Sequence, residues 1–316
     1  MPDSTQTILS RAAEVIRGLE GHHFDILNVG KPADTNYAQN LAKIISKMSP
    51  LLGNLIELEV VRTLNTQKWD SGGKWERQDP GFPDAVYRGG ITPLPGIEIK
   101  TWFPFATEIT ARFRDSVTFF SQDQTHVAVL AWLPEFIIYG RPKIIGVWIG
   151  SGLQLATSRD NHYHRPPDYL VTEPEDTKER TSNLQQTNVN GLKFQGTAKQ
   201  KADALAEVQS WGKEKAKYSP DRNYQALLKG LQAKYPYRLD TNFAKIDRVV
   251  NPSLEEFKKR VLGMTLDGAP IAAWPKILAI DTHRMAKLLG LPETEGSVGR
   301  ADVSLGELLP PDKPED

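Results

Sequence analysis

Two apolar runs rich in β-branched residues, HVAVLAWL at 126–133 and IIGVWIGSG at 144–152, limit the fold more than any other feature of the chain. Each has the length and composition of a buried strand, so both are predicted to lie centrally in a sheet. Upstream, residues 84–88 and 96–102 read as two further strands separated by GGITPLP. The polar and aromatic stretch 65–83, with its Gly72-Gly73 turn signal, reads as a loop or short hairpin.

Helical spacing of apolar residues predicts helices over 5–20 and 36–48 (Ile8, Ala12, Ile16; Leu41, Ile44, Ile45, Met48). Ser49-Pro50 has the form of an N-cap followed by proline at the first helical position, opening a helix through LLGNLIELEVVRTL. That helix is apolar over most of its circumference, the pattern of a buried helix, yet it carries Glu57 and Glu59, which then need partners. Beyond a polar, turn-rich stretch at 151–197, the runs at 198–217, 222–235 and 253–264 read as helices, and WPKILAI at 274–280 as a late strand. The expected class is α/β (α+β), a mixed central sheet flanked by helices with a mainly helical C-terminal part.

A chain of 316 residues is expected to form one elaborated domain or two closely packed ones. No apolar run approaches the roughly 18 residues of a membrane span, and no secretory signal is evident, so a cytosolic compartment is expected. The absence of cysteine excludes disulfides, thiolate metal sites and cysteine nucleophiles. A formal net charge of zero conceals an uneven distribution. Between Lys193 and Arg248 basic residues outnumber acids by about two to one, whereas acids dominate from Glu293 onward. The lysines suit phosphate contacts, or simply solvated helix faces.

The chemistry concentrates in GFPDAVYRGGITPLPGIEIKTW, residues 81–102. Alternation along a strand puts Glu98 and Lys100 on one face, and a hairpin brings Asp84 beside Glu98. Two adjacent carboxylates repel unless a cation separates them, and magnesium accepts a few carboxylate oxygens while keeping several waters. A metal so placed polarises a phosphate oxygen, with Lys100 stabilising developing charge or orienting the attacking water. The alternative is a charged hairpin with no catalytic role.

The segments GNLIE at 53–57 and GIEIKT at 96–101, with Pro83-Asp84, resemble motifs of the PD-(D/E)XK nuclease superfamily, and among its members type II restriction endonucleases and the MutH-like mismatch-repair nicking enzymes. The resemblance spans roughly residues 50–150 and implies a restriction-endonuclease-like core. It assigns metal binding to Asp84 and Glu98, service of water and phosphate to Lys100, and to Glu57 either a metal ligand's role or a hold on Lys100. Glu59 lies about 200° away on the helix, so only one of the two glutamates is expected to face the site. Magnesium, replaceable by manganese, is the implied cofactor. Double-stranded DNA is the implied substrate, a homodimer in a bacterial or archaeal cytoplasm the implied form, and a cognate DNA methyltransferase the implied genetic partner.

With that resemblance, the expected organisation is an N-terminal helical segment (1–48), a catalytic core (49–175), a recognition loop and helical region (176–300) and a flexible acidic tail (301–316). Within KERTSNLQQTNVNGLKFQ, the side chains of Arg180, Asn183, Gln185, Gln186, Asn188, Asn190 and Lys193 are the candidate DNA contacts, since Asn and Gln pair bidentately with adenine and Arg with guanine. Lys213, Lys215 and Lys217 are further candidates for phosphate contacts. HYH at 162–164 lacks the further ligands of a zinc site.

Overall fold

A computed structural model of the chain describes residues 4–293 except 70, 80, 107–108, 110, 112, 114–119, 163–170, 173–190, 195–196, 213–221, 236 and 241–244. The chain divides into two units, one of Met1–Thr110, Gln122–Gly152 and Pro252–Asp316, the other of Ala111–Ser121 and Leu153–Asn251.

The first unit opens with α1 (Thr5–Arg17), whose Ser4 cap accepts from the Thr7 amide, and α2 (Thr35–Asn65), whose Asp34 cap accepts from Tyr37. Five strands follow: β1 (Lys74–Arg77), β2 (Ala85–Arg88), β3 (Gly96–Trp102), β4 (Thr125–Phe136) and β5 (Tyr139–Ser151). They form one mixed sheet in sequence order, with β3 and β4 parallel and every other neighbouring pair antiparallel. The expected mixed α/β class is the class observed, here as a five-stranded mixed sheet flanked by helices. β4 is buried along most of its length, as its apolar run requires, while β5 takes an edge position in this sheet rather than a central one.

In the second unit are α3 (Gly152–His162), β6 (Val171–Thr172), β7 (Gly191–Phe194), α4 (Ala198–Ser210), α5 (Arg222–Lys234) and β8 (Tyr237–Asp240). β6, β7 and β8 form a separate three-stranded sheet. Ala204, Val208 and Leu231 make a small core between α4 and α5, and a capping box between Thr197 and Gln200 starts α4. Arg159 is buried, its guanidinium donating to the Phe113 carbonyl at 2.6 Å. The chain then returns to the first unit with α6 (Pro252–Gly263), a two-residue hairpin of β9 (Thr265–Leu266) and β10 (Ala269–Pro270), α7 (Trp274–Ile280) and α8 (Thr282–Leu289). Among the described residues no helix is long and apolar enough to cross a membrane.

Three further features differ from the sequence expectation. Ser49-Pro50 does not open a helix: α2 is a single 31-residue helix from Thr35, capped by Asp34, with Pro50 inside it. Interior proline costs about 3 kcal/mol, but Ala38, Leu41, Ala42 and Ile45 before it and Leu52, Ile56 and Val60 after it form one continuous buried face. Burial along that face carries the helix through the break. WPKILAI is helical, because Trp274, Ile277 and Leu278 are buried at helical spacing behind Pro275 in the first turn. The apolar circumference of α2 is not buried all round: Tyr37, Ile44, Leu51, Leu55 and Leu58 are exposed.

Candidate active site

The site forms where β2 and β3 part. Their ladder pairs Val86 with Gly96 and Ala85 with Ile97, then stops. Continued by one residue it would pair Asp84 with Glu98, but instead each carboxylate takes a backbone amide from the opposite strand. The Asp84 amide donates to Glu98 Oε2 at 3.1 Å, and the Ile99 amide donates to Asp84 Oδ2 at 2.6 Å. Parting strands leave N–H groups that burial makes costly, and these two side chains satisfy them. The crossing holds both carboxylates at the fork. Gly96 permits the close approach, since a Cβ there would lie 2.4 Å from the Pro83 ring.

Alternation along β3 turns Glu98 and Lys100 to the same face. The Lys100 ammonium pairs with Glu98 Oε1 and lies 3.6 Å from Asp84 Oδ2, so it bridges the two acids. On the parallel neighbour, Glu98 stands opposite Val127 and Lys100 opposite Val129, which keeps the surroundings apolar. Glu98 is only 5% exposed. Burial pushes its carboxyl up to about 7 and the nearby Asp84 charge adds to the effect, against the opposing pull of Lys100. For Lys100, burial acts to weaken the ammonium, but the charges of Glu98, Asp84 and Glu57 outweigh it and hold the group above its ordinary range. Lys100 is therefore a cation at neutral pH.

Glu57 reaches the neighbourhood from α2. A Cβ on Gly53 would stand 2.5 Å from Thr101 Oγ1, so the glycine lets the helix backbone lie directly on β3, and Glu57 follows one turn later. Its Oε1 accepts from Arg77 Nε at 2.7 Å, and Arg77 Nη1 donates to Asp79 at 2.7 Å. Burial raises the Glu57 carboxyl, the Asp84 charge raises it further, and Arg77 and Lys100 oppose them. Glu59 instead pairs with Arg62 at 2.6 Å along the same helix.

The structure thus brings Asp84, Glu98 and Lys100 into contact and sets Glu57 within their electrostatic reach, bonded to Arg77. Cross-strand partners share a face, so Arg77 lies in the row Arg77, Ala85, Ile97, which turns with Thr101 toward α2. Glu98 and Lys100 turn the other way, which is why Glu57 meets Arg77 rather than Lys100. Arg77 is absent from the residues singled out in the sequence. Its signal was available in WER, where a strand that buries Trp75 must turn Arg77 to the same face.

Among the described residues no three His, Asp or Glu side chains converge as a metal cage. Asp84 and Glu98 nevertheless suit a hard cation, being two oxygen donors in one fork where burial, and after it the Asp84 charge, raises Glu98. Arg180, Asn183, Gln185, Gln186, Asn188 and Asn190, and likewise Lys213, Lys215 and Lys217, lie outside the described residues. Lys193 is in β7, its backbone in register with Val171 and Arg238. Comparison with protein-family models, curated proteins and solved structures gives no match.

Proposed function

We propose that the protein is a magnesium-dependent endonuclease of the PD-(D/E)XK type that hydrolyses phosphodiester bonds in double-stranded DNA at a short specific sequence, as type II restriction endonucleases do. The observation that carries the reading is the convergence of Asp84, Glu98 and Lys100 at the β2–β3 fork. Asp84 and Glu98 would hold the magnesium, which when bound supplies Lewis-acid polarisation and a more acidic water. The fork amides of Asp84 and Ile99 fix the two carboxylates before any ligand arrives, so little ordering remains to be done at the moment of reaction. Lys100 keeps its proton at neutral pH and donates to a phosphate oxygen or to the attacking water, stabilising negative charge as the phosphorane develops. Glu57, oriented by Arg77, adds a third negative charge to the field around Lys100.

The proposed DNA contacts are Arg180, Asn183, Gln185, Gln186, Asn188, Asn190 and Lys193, with a homodimer acting on both strands and a cognate methyltransferase protecting the host sequence. Supercoiled plasmid incubated with the protein and magnesium tests the reading. Discrete linear fragments are expected; open circles that never become linear would indicate a MutH-like nicking enzyme instead. One observation favours a second reading, that of a non-catalytic DNA-binding module: each acid already serves a backbone amide, a task that a purely structural fork also requires. Plasmid left intact in magnesium or manganese, yet retarded in a gel by the protein, would select that reading.

A further inference from the structure

We infer that α2 is a dimerisation helix, and that its exposed apolar stripe is covered by the same stripe of a second copy running antiparallel. Tyr37, Ile44, Leu51 and Leu58 recur at intervals of seven residues, and Met48 and Leu55 follow Ile44 and Leu51 by one turn. A seven-residue apolar repeat drifts about 20° per repeat on an α-helix, so these six side chains form one seam that winds about 60° around the helix between Tyr37 and Leu58. The seam lies roughly 110° around the helix from the face that packs on the sheet. Its five large exposed members are between 40% and 66% accessible.

A chain that left this seam in water would expose an apolar strip along about 30 Å of helix. At about 200 Å² for each fully exposed large side chain, the strip offers about 500 Å² per copy. Two copies together then cover about 1,000 Å², the lower limit of a specific interface. A stripe with a regular seven-residue period is self-complementary under a two-fold axis, which is what an interface between identical surfaces needs. With the axis passing between Lys47 and Met48, Tyr37 meets Leu58 and Ile44 meets Leu51 of the other copy, and all four rows of the repeat are used. Antiparallel alignment also opposes the helix dipoles, whereas a parallel pair would stack like ends together. The polar edge of the seam, Asn40, Lys47 and Asn54, is exposed and stays wet. This assignment depends on the helix and not on the nuclease chemistry.

Sedimentation equilibrium of the full chain at micromolar concentration is expected to give twice the 35.3 kDa chain mass. Leu51→Glu combined with Leu58→Glu is expected to return it to the single mass with an unchanged far-ultraviolet spectrum, since both positions are exposed in one copy. The absence of cysteine makes a second measurement clean. Met48→Cys, beside the axis, is expected to form a disulfide-linked dimer on mild oxidation, whereas Tyr37→Cys, about 30 Å from its own symmetry mate, is not. A wild-type chain that sediments at the single mass overturns the inference. So does a dimer that survives the paired glutamate substitutions, or cross-linking as efficient at Tyr37→Cys as at Met48→Cys. Plasmid cleavage is followed separately in the same samples, so a failed dimer and a failed nuclease reading give different results.

Discussion

Replacing Glu98 with glutamine removes a carboxylate whose ionisation the fold opposes strongly. Glu98 has an ordinary carboxyl value of 4.5 when unfolded and about 7 when folded. Ionising it in the folded chain therefore costs about 3 kcal/mol more than ionising it in the unfolded one. The direction follows from linkage. Below pH 4.5 the acid is protonated in both states and the contribution is fully present; it is lost as pH rises through about 7. Lys100, also raised, would lose its contribution only above its own ordinary value of 10.5, outside this window. Glu57 is raised as well but is common to both proteins. Urea unfolding in chelator, followed by tryptophan fluorescence, reports on the first unit, which holds every tryptophan but Trp211. The stability difference between Glu98→Gln and wild type should move in favour of the variant by about 3 kcal/mol between pH 4.5 and pH 8.5. Magnesium at pH 8.5 should recover part of the gap for wild type only. A difference that stays flat across this range would refute the claim that burial and Asp84 hold Glu98 near neutrality.

Three other substitutions test the supports of the site. Arg77→Ala leaves Glu57 without its guanidinium partner and should cost about 1–3 kcal/mol of stability in urea unfolding, whereas Arg77→Lys should cost less. Gly53→Ala drives a methyl to within 2.5 Å of Thr101 Oγ1 and should destabilise by about 1–3 kcal/mol, with Thr101→Ala in the same chain recovering much of the loss in a double-mutant cycle. Pro50→Ala restores an interior helix hydrogen bond in α2 and should raise the thermal midpoint, by an amount worth up to about 3 kcal/mol; an unchanged or lower midpoint would show that the helix depends on the proline.

The strands around the site were legible because their pattern is local: alternation places Glu98 and Lys100 on one face, and the apolar runs of β4 and β5 exceed anything a loop would carry. The juxtaposition of Asp84 with Glu98 was legible only in part: alternation allows it, but the long GGITPLP turn leaves the register open, and the pairing of Ala85 with Ile97 settles it. The reach of α2 was not. Ser49-Pro50 has the local form of a helix start, and only the continuous buried face formed by tertiary packing reveals that the helix begins at Thr35, behind its Asp34 cap. WPKILAI is ambiguous in sequence for a related reason, as seven apolar-rich residues fit either period and the burial of Trp274, Ile277 and Leu278 decides between them. The partner of Glu57 was hidden because it depends on which pleat faces the helix, a relation between three strands and α2 that no single segment encodes. Likewise the exposed seam of α2 looked like a buried helix, because composition cannot distinguish apolar surface covered by its own chain from surface left for another.

Loss of DNA cleavage on a single substitution decides whether the β2–β3 fork is catalytic. Lys100→Ala and Asp84→Ala, purified and compared with wild type on supercoiled plasmid in magnesium, should each cut at least about 100-fold more slowly while still retarding DNA in a gel. Cleavage by either variant at the wild-type rate would contradict the assignment of the β2–β3 fork as the active site.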